Sequence, residues 1–203
     1  LTVVDAAGNA AEPVVASFYL DTTAPVWKVV FDGPSYVSKG KTYIRSATPI
    51  MIVATDAGSG VASCTLAIDG GEPMPYAGEP FTVPAEEGKH LIEVACTDNL
   101  GFSITGTGYI NVTDTPPVVK ITSPKAGTYL HQEKIKIDFS AKDVFPGLMS
   151  VEALLDGQPV KDGQKIDLLD LALGEHVLVV TATDKVGNQT TEQVTFMVDA
   201  TIK

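Results

Sequence analysis

Thr181 to Ala200 reads TATDKVGNQTTEQVTFMVDA: an apolar strand, an aspartate, a turn at Lys185-Val186-Gly187-Asn188, and a returning strand. The phrase recurs as TVVDAAGNAAEPVVASFYLDTTAP from Thr2 to Pro25, and as ACTDNLGFSITGTGYINVTDTPP from Ala95 to Pro117. Repetition of one strand-turn-strand unit at a steady phase restricts the fold more than any single residue does, because each copy must close the same small sheet. The chain therefore reads as tandem copies of one β module.

At 203 residues it has room for two modules of about a hundred residues each, large enough to bury a core without several disulfides. A formal charge of −11 disfavours nucleic-acid and anionic-membrane partners, which reward basic patches, and it attracts cations. No apolar run approaches a membrane span, so membrane insertion is not expected. Residue 1 opens inside a strand pattern rather than a signal peptide, so the chain reads as a piece of something longer.

Residues 1–22 read as the C-terminal hairpin of a truncated upstream module plus the start of a linker, with Val3, Phe18 and Leu20 as its apolar face and Asp5 to Asn9 as its turn. A lone hairpin is marginal in water, so this one is expected to dock elsewhere or to be poorly ordered. The stretch Asp21-Thr22-Thr23-Ala24-Pro25 reads as a stiff connector, since Pro25 sets its own φ and extends Ala24. Residues 23–115 form the first full module and residues 116–203 the second. Ile135, Ile137, Phe139 and Ala141 alternate with Lys134, Lys136, Asp138 and Ser140, the pattern of a half-buried antiparallel strand. The aligned stretch of the first module points Ile50, Ile52 and Ala54 inward. Asp69-Gly70 and Asp156-Gly157 mark tight hairpins at matching places. Leu168 to Leu173 reads as loop or strand. Short strands at roughly ten-residue spacing, with no helical period, give an all-β fold: tandem antiparallel sandwiches with Greek-key connections.

The run ATDAGSGVAS…IDGGEPMPYAGEPFTVPAEEGKHLIEVACTDNLG, with its flanking DTTAP and TDKVGN phrases, resembles the tandem bacterial immunoglobulin-like domains of secreted and cell-surface proteins. The resemblance implies an extracellular or surface location on a bacterium, neighbouring modules of the same parent chain as partners, and a non-catalytic role as spacer or adhesive stalk. It also implies a rival role, a glycan- or ligand-binding accessory module of a secreted enzyme, with a glycan or host-surface ligand as partner. The chain departs from the pattern at Phe102, which stands where Asn9 and Asn188 stand in the other copies; this touches the turn there, not the fold.

No nucleophile elbow, phosphate-cradling glycine loop or His-Glu-x-x-His pair occurs, so no residue is assigned to catalysis. His90 and His176 share one repeat position, which suits a turn-stabilising role better than a catalytic one. Cys64 and Cys96 fall on strands that are antiparallel neighbours in this sandwich, within reach of a disulfide. An exported protein favours oxidation. Two buried thiols acting as small hydrophobes is the other reading. Trp27, Tyr36, Tyr43, Tyr76 and Phe81 concentrate in the first module; exposed together they would suit sugar stacking, and otherwise they are edge and core packing. Calcium is the one cofactor the sequence suggests. Asp21, Asp56 and Asp98 in the first module, and Asp114, Asp143 and Asp184 in the second, fall on loops expected at the junction end of each sandwich. Calcium takes six to eight oxygens from such carboxylates, carbonyls and water. The alternative is that each aspartate only turns the chain, accepting from an amide two residues on.

Overall fold

The computed structural model describes residues 3–12 and 16–200. Its strands fall into two sets. The first contains β1 (Val26–Phe31), β2 (Tyr36–Ser38), β3 (Lys41–Ile44), β4 (Ile50–Thr55), β5 (Val61–Ile68), β6 (Met74–Tyr76), β7 (Gly88–Asp98) and β8 (Ser103–Val112). The second contains β9 (Val118–Ser123), β10 (Thr128–Leu130), β11 (Lys134–Lys136), β12 (Asp138–Lys142), β13 (Leu148–Leu155), β14 (Gln158–Pro159), β15 (Lys165–Asp167), β16 (Gly174–Asp184) and β17 (Gln189–Asp199). Among the described residues no sheet draws strands from both sets.

In the first set a six-stranded sheet, ordered β2-β3-β8-β7-β5-β6, faces the β1-β4 pair. In the second a five-stranded sheet, β10-β17-β16-β13-β14, faces the pairs β12-β9 and β11-β15. Alternation explains the cores. Ile92, Val94 and Cys96 of β7 pack against Ile50 and Ile52 of β4, and Leu178, Val180 and Ala182 of β16 occupy the same places in the second core. Each such Ile or Leu, removed from water, contributes about 1.5–3 kcal/mol. The all-β, two-sheet architecture is thus set by period-two burial on both inner faces.

Four details differ from the sequence reading. The Lys134–Lys142 stretch is two strands, not one. Its register shifts at Asp138, so β11 pairs with β15 while β12 pairs with β9. The sandwiches are also not wholly antiparallel: β3 runs parallel to β8, and β10 parallel to β17. In each case the opening segment crosses from one sheet to the other and ends beside the last strand, pointing the same way. Leu168–Asp170 is a single 3-10 turn in place of loop or strand. Asp167 caps it by accepting from the Leu169 N–H, and Leu168 is fully buried beneath it.

Finally, the opening segment makes only the root of its hairpin. Val4 and Ala10 form an antiparallel bridge, and residues 16–20 join no strand. Leu1, Thr2 and Pro13–Val15 lie outside the described residues. Ile110 and Val112 of β8, and Phe196 and Val198 of β17, are at most 3 % exposed, whereas Phe18 and Leu20 of the opening segment are 86 % and 82 % exposed. A strand needs a partner sheet to satisfy its backbone, and among the described residues none pairs with residues 16–20.

Candidate metal centre

The three copies of the repeat phrase build one turn. In each, the leading aspartate's N–H donates to the carbonyl four residues on: Asp5 to Asn9, Asp98 to Phe102 and Asp184 to Asn188, all at 3.0 Å. Its Oδ1 then accepts from the N–H groups two and four residues later, from Leu100 and Phe102 in the middle copy and from Val186 and Asn188 in the last. The backbone turn at Phe102 is therefore the same as its relatives. What changes is the second carboxylate oxygen. Asn9 Nδ2 donates to Asp5 Oδ2, and Asn188 Nδ2 to Asp184 Oδ2, each at 2.9 Å. Phe102 has no amide to offer, and Asp98 Oδ2 is buried with no hydrogen-bond partner.

Beside that turn the chain gathers charge. Asp21, Asp56 and Asp98 each present a carboxylate oxygen within 4.8 Å of the other two, and Asp98 is only 2 % exposed. Two oxygens each about 2.4 Å from one calcium ion lie at most about 4.8 Å apart, a limit that all three carboxylates meet. Local bonds set the approach. Asp56 Oδ1 accepts from Gly58 N (3.1 Å) and Gly60 N (2.8 Å), and Asp21 Oδ2 accepts from Ser59 N (2.7 Å), which draws the connector onto the β4-β5 loop. Hydrogen bonds from the Thr23 and Ser59 backbone hold the Asp21 carboxyl far below the usual carboxylate range. A buried carboxylate beside two others is costly unless neutralised. Oxygen-only donors, three charges and an orphaned buried oxygen together suit calcium, which would be held by Asp21, Asp56 and Asp98 and would cancel their repulsion.

The second expected trio does not assemble among the described residues, and this corrects the sequence reading. Asp114 faces back to the first module, where its Oδ1 accepts from Ser46 N at 2.9 Å. Asp143 Oδ1 accepts from Gly147 N, and fully buried Asp184 is capped on both oxygens. The reason is register. Asp21 precedes the first strand residue, Val26, by five positions, whereas Asp114 precedes Val118 by four. In extended chain one residue reverses the side chain. Counting back from the strand puts Thr113, not Asp114, at Asp21's place. Asn188 Nδ2 donates to the Thr113 carbonyl at 3.0 Å, so this joint is closed by an amide.

The same joint carries further contacts. Glu87 Oε1 accepts from Asp114 N, Thr115 N and Thr115 Oγ1, and Thr190 Oγ1 donates to the Pro117 carbonyl from the other side. Tyr43 and Phe145 meet edge to face at 4.5 Å. Lys185 Nζ sits 4.5 Å over the Tyr36 ring and 3.3 Å from its hydroxyl, and Val186 at the turn's tip is fully buried.

The remaining candidates are structural. Cys64 and Cys96, directly opposed across β5 and β7, form a disulfide with Cα atoms 4.1 Å apart. In the second module Val151 opposes Ala182 at that place. Of the five aromatics, Trp27, Tyr76 and Phe81 pack on the first core, Tyr36 and Tyr43 lie against the second module, and none is exposed. His90 and His176 form matching latches: Nδ1 meets Asp69 or Asp156 Oδ2 at 2.7 and 2.6 Å, and Nε2 meets the Glu86 or Ala172 carbonyl. Both aspartates stand at positive φ before a glycine, in the turn their Asp-Gly pairs announce. Sequence reasoning missed this pairing, although Asp-Gly and Gly-x-His recur in both modules, with aspartate and histidine 21 residues apart in one and 20 in the other.

Residues 117–201 match a family model described as a bacterial Ig domain. A solved structure of fibronectin(III)-like modules of CbhA from Clostridium thermocellum superposes with a TM-score of 0.50 at 21 % identity, covering 87 % of this chain and 97 % of that one. A Ca2+-stabilized adhesin that helps an Antarctic bacterium reach out and bind ice aligns at 20 % identity and a TM-score of 0.39. That alignment covers 98 % of this chain and 55 % of the adhesin chain, so the present chain spans about half its length. No curated protein matches the sequence. No helix among the described residues is long and apolar enough to cross a membrane.

Proposed function

Because residues 117–201 match a bacterial Ig domain model and β1–β8 repeat the same two-sheet plan, we propose that this chain is a non-catalytic spacer segment of a bacterial surface protein. In it, modules 23–115 and 116–203 follow the end of an upstream module, residues 1–22. Its work is to hold neighbouring modules at a set angle and distance. The observation that carries this reading is the connector at Thr113–Pro117, which is gripped from both sides: Glu87 and Ser46 of the first module, Asn188 and Thr190 of the second. A flexible tether would leave those donors and acceptors to water.

The upstream connector is stiffened differently, by a calcium ion held by Asp21, Asp56 and Asp98. The ion neutralises the buried charge and fastens Asp21 to the β4-β5 and β7-β8 loops. Small-angle scattering on the metal-stripped protein with and without millimolar calcium, alongside thermal unfolding, tests both parts. A spacer keeps a fixed separation between its two modules in either condition. Calcium should raise the unfolding midpoint of the first module, because a ligand bound only by the native state stabilises it increasingly above its dissociation constant. A broad distribution of module separations would overturn the spacer reading, and an unmoved midpoint would overturn the ion.

A further inference from the structure

Building on that calcium site, and resting on it, we infer that the residue four positions after each turn aspartate decides how a joint is closed. An asparagine closes it with an amide, and its absence hands the same oxygen to a cation. The comparison is controlled by the fold itself. Asp98 and Asp184 sit at one repeat position, in one backbone turn, each nearly or fully buried, each with Oδ1 already taken by two N–H groups. Only Oδ2 differs. Asn188 fills it with one amide hydrogen and spends the other on the Thr113 carbonyl, so a single neutral side chain ties the turn to the connector. With Phe102 in that place Asp98 Oδ2 has no donor, and the connector residue equivalent to Thr113 is Asp21, a second carboxylate.

Each joint is internally consistent. At the second, connector carbonyl and turn carboxylate are both acceptors, and an amide with two N–H groups joins them. At the first, connector and turn both offer carboxylates, with Asp56 beside them, and only a cation can join three anions. Mixing the sets would fail: an amide cannot neutralise three charges, and a cation at the second joint would have to displace a satisfied hydrogen bond. Asn9 caps Asp5 just as Asn188 caps Asp184, which shows that asparagine is accommodated by this turn in two settings. Phe102→Asn should therefore fold.

The experiment is calcium titration by calorimetry on the metal-stripped full chain, comparing wild type, Phe102→Asn and Phe102→Ala. Phe102→Asn should weaken calcium binding by about 10- to 100-fold, the size of effect that outer-shell changes have at a metal site, while raising the calcium-free unfolding midpoint because Oδ2 gains a donor. Phe102→Ala, which removes the ring without adding a donor, should bind as wild type does. Calcium binding by Phe102→Asn at wild-type strength overturns this inference and leaves the calcium site standing; no binding by wild type overturns the site itself. Equal loss in Phe102→Ala also overturns the inference, since the ring and not the amide would then be at issue. Should Phe102→Asn not fold, Asn188→Ala supplies an independent reading: scattering should show the second joint loosened equally with and without calcium, and rescue by calcium contradicts the division of labour.

Discussion

A Cβ placed on Gly58 would stand 2.2 Å from the carboxyl carbon of Asp21. No side chain tolerates that approach, so the bare backbone of Gly58 is what lets the connector aspartate lie against the β4-β5 loop. Gly58 does not need glycine for its φ, which leaves proximity as the reason. Gly58→Ala should swing Asp21 outward and break its bond from Ser59 N. We expect calcium affinity to fall by about ten-fold or more with the fold of the first module retained. Calorimetry reads the affinity and circular dichroism the fold; unchanged affinity would remove Asp21 from the site.

Asp98→Asn separates charge from shape. It removes a buried carboxylate from a cluster of three, so the calcium-free protein should unfold at a higher temperature than wild type. Wild type at a hundred-fold excess over its dissociation constant should gain about 2.7 kcal/mol, a gain the variant lacks. Scanning calorimetry with and without calcium checks it. A variant that is less stable without calcium and still responds to the ion would show that Asp98 serves the turn alone.

The histidine latches predict a pH profile. Both ring nitrogens of His90 face acceptors, Asp69 Oδ2 and the Glu86 carbonyl, so only the doubly protonated ring donates to both. The bond to Asp69 raises the His90 pKa above its ordinary 6.5 and lowers that of Asp69 below 3.8. For His176 burial opposes the charge, and the bonds to Asp156 and the Ala172 carbonyl outweigh it, so its pKa also rises. A raised histidine pKa contributes stability that is whole below pH 6.5 and lost as pH climbs through the folded value. The Asp69 contribution is whole above pH 3.8 and lost on acidification. Denaturant midpoints should therefore be higher at about pH 5.5 than at about pH 8.5, and His90→Gln with His176→Gln should flatten the difference. A flat wild-type profile would argue for neutral rings.

The disulfide joins residues 32 apart, a closure that the chain-entropy model values at about 3–4 kcal/mol. Reductant, or Cys64→Ala with Cys96→Ala, should lower the unfolding midpoint of residues 23–115 and leave that of residues 116–203 alone, since Val151 and Ala182 hold the matching places there. Thiol titration of denatured, unreduced protein should find no free sulfhydryl. Finding two would return both cysteines to the role of core filler.

The sequence by itself determined the elements that depend on local period and on repetition: the inward Ile50 and Ile52, the Asp-Gly hairpins, the turn after each leading aspartate, and the facing of Cys64 and Cys96, which comes from strand neighbours alone. Tertiary structure decided which aspartates converge. Asp21 and Asp114 look equivalent in their Asp-Thr phrases, yet one residue of offset from the following strand sends one side chain to the β4-β5 loop and the other to Ser46. It decided too that Phe102 keeps the turn while orphaning Asp98 Oδ2, and that Tyr36 and Tyr43 pack against Lys185 and Phe145 at the joint. For the aspartates and the tyrosines the physical reason is the same. A strand's side-chain direction alternates with each residue, so the composition of a loop says which groups are near a junction, and only the register of the strands on either side says which of them point into it.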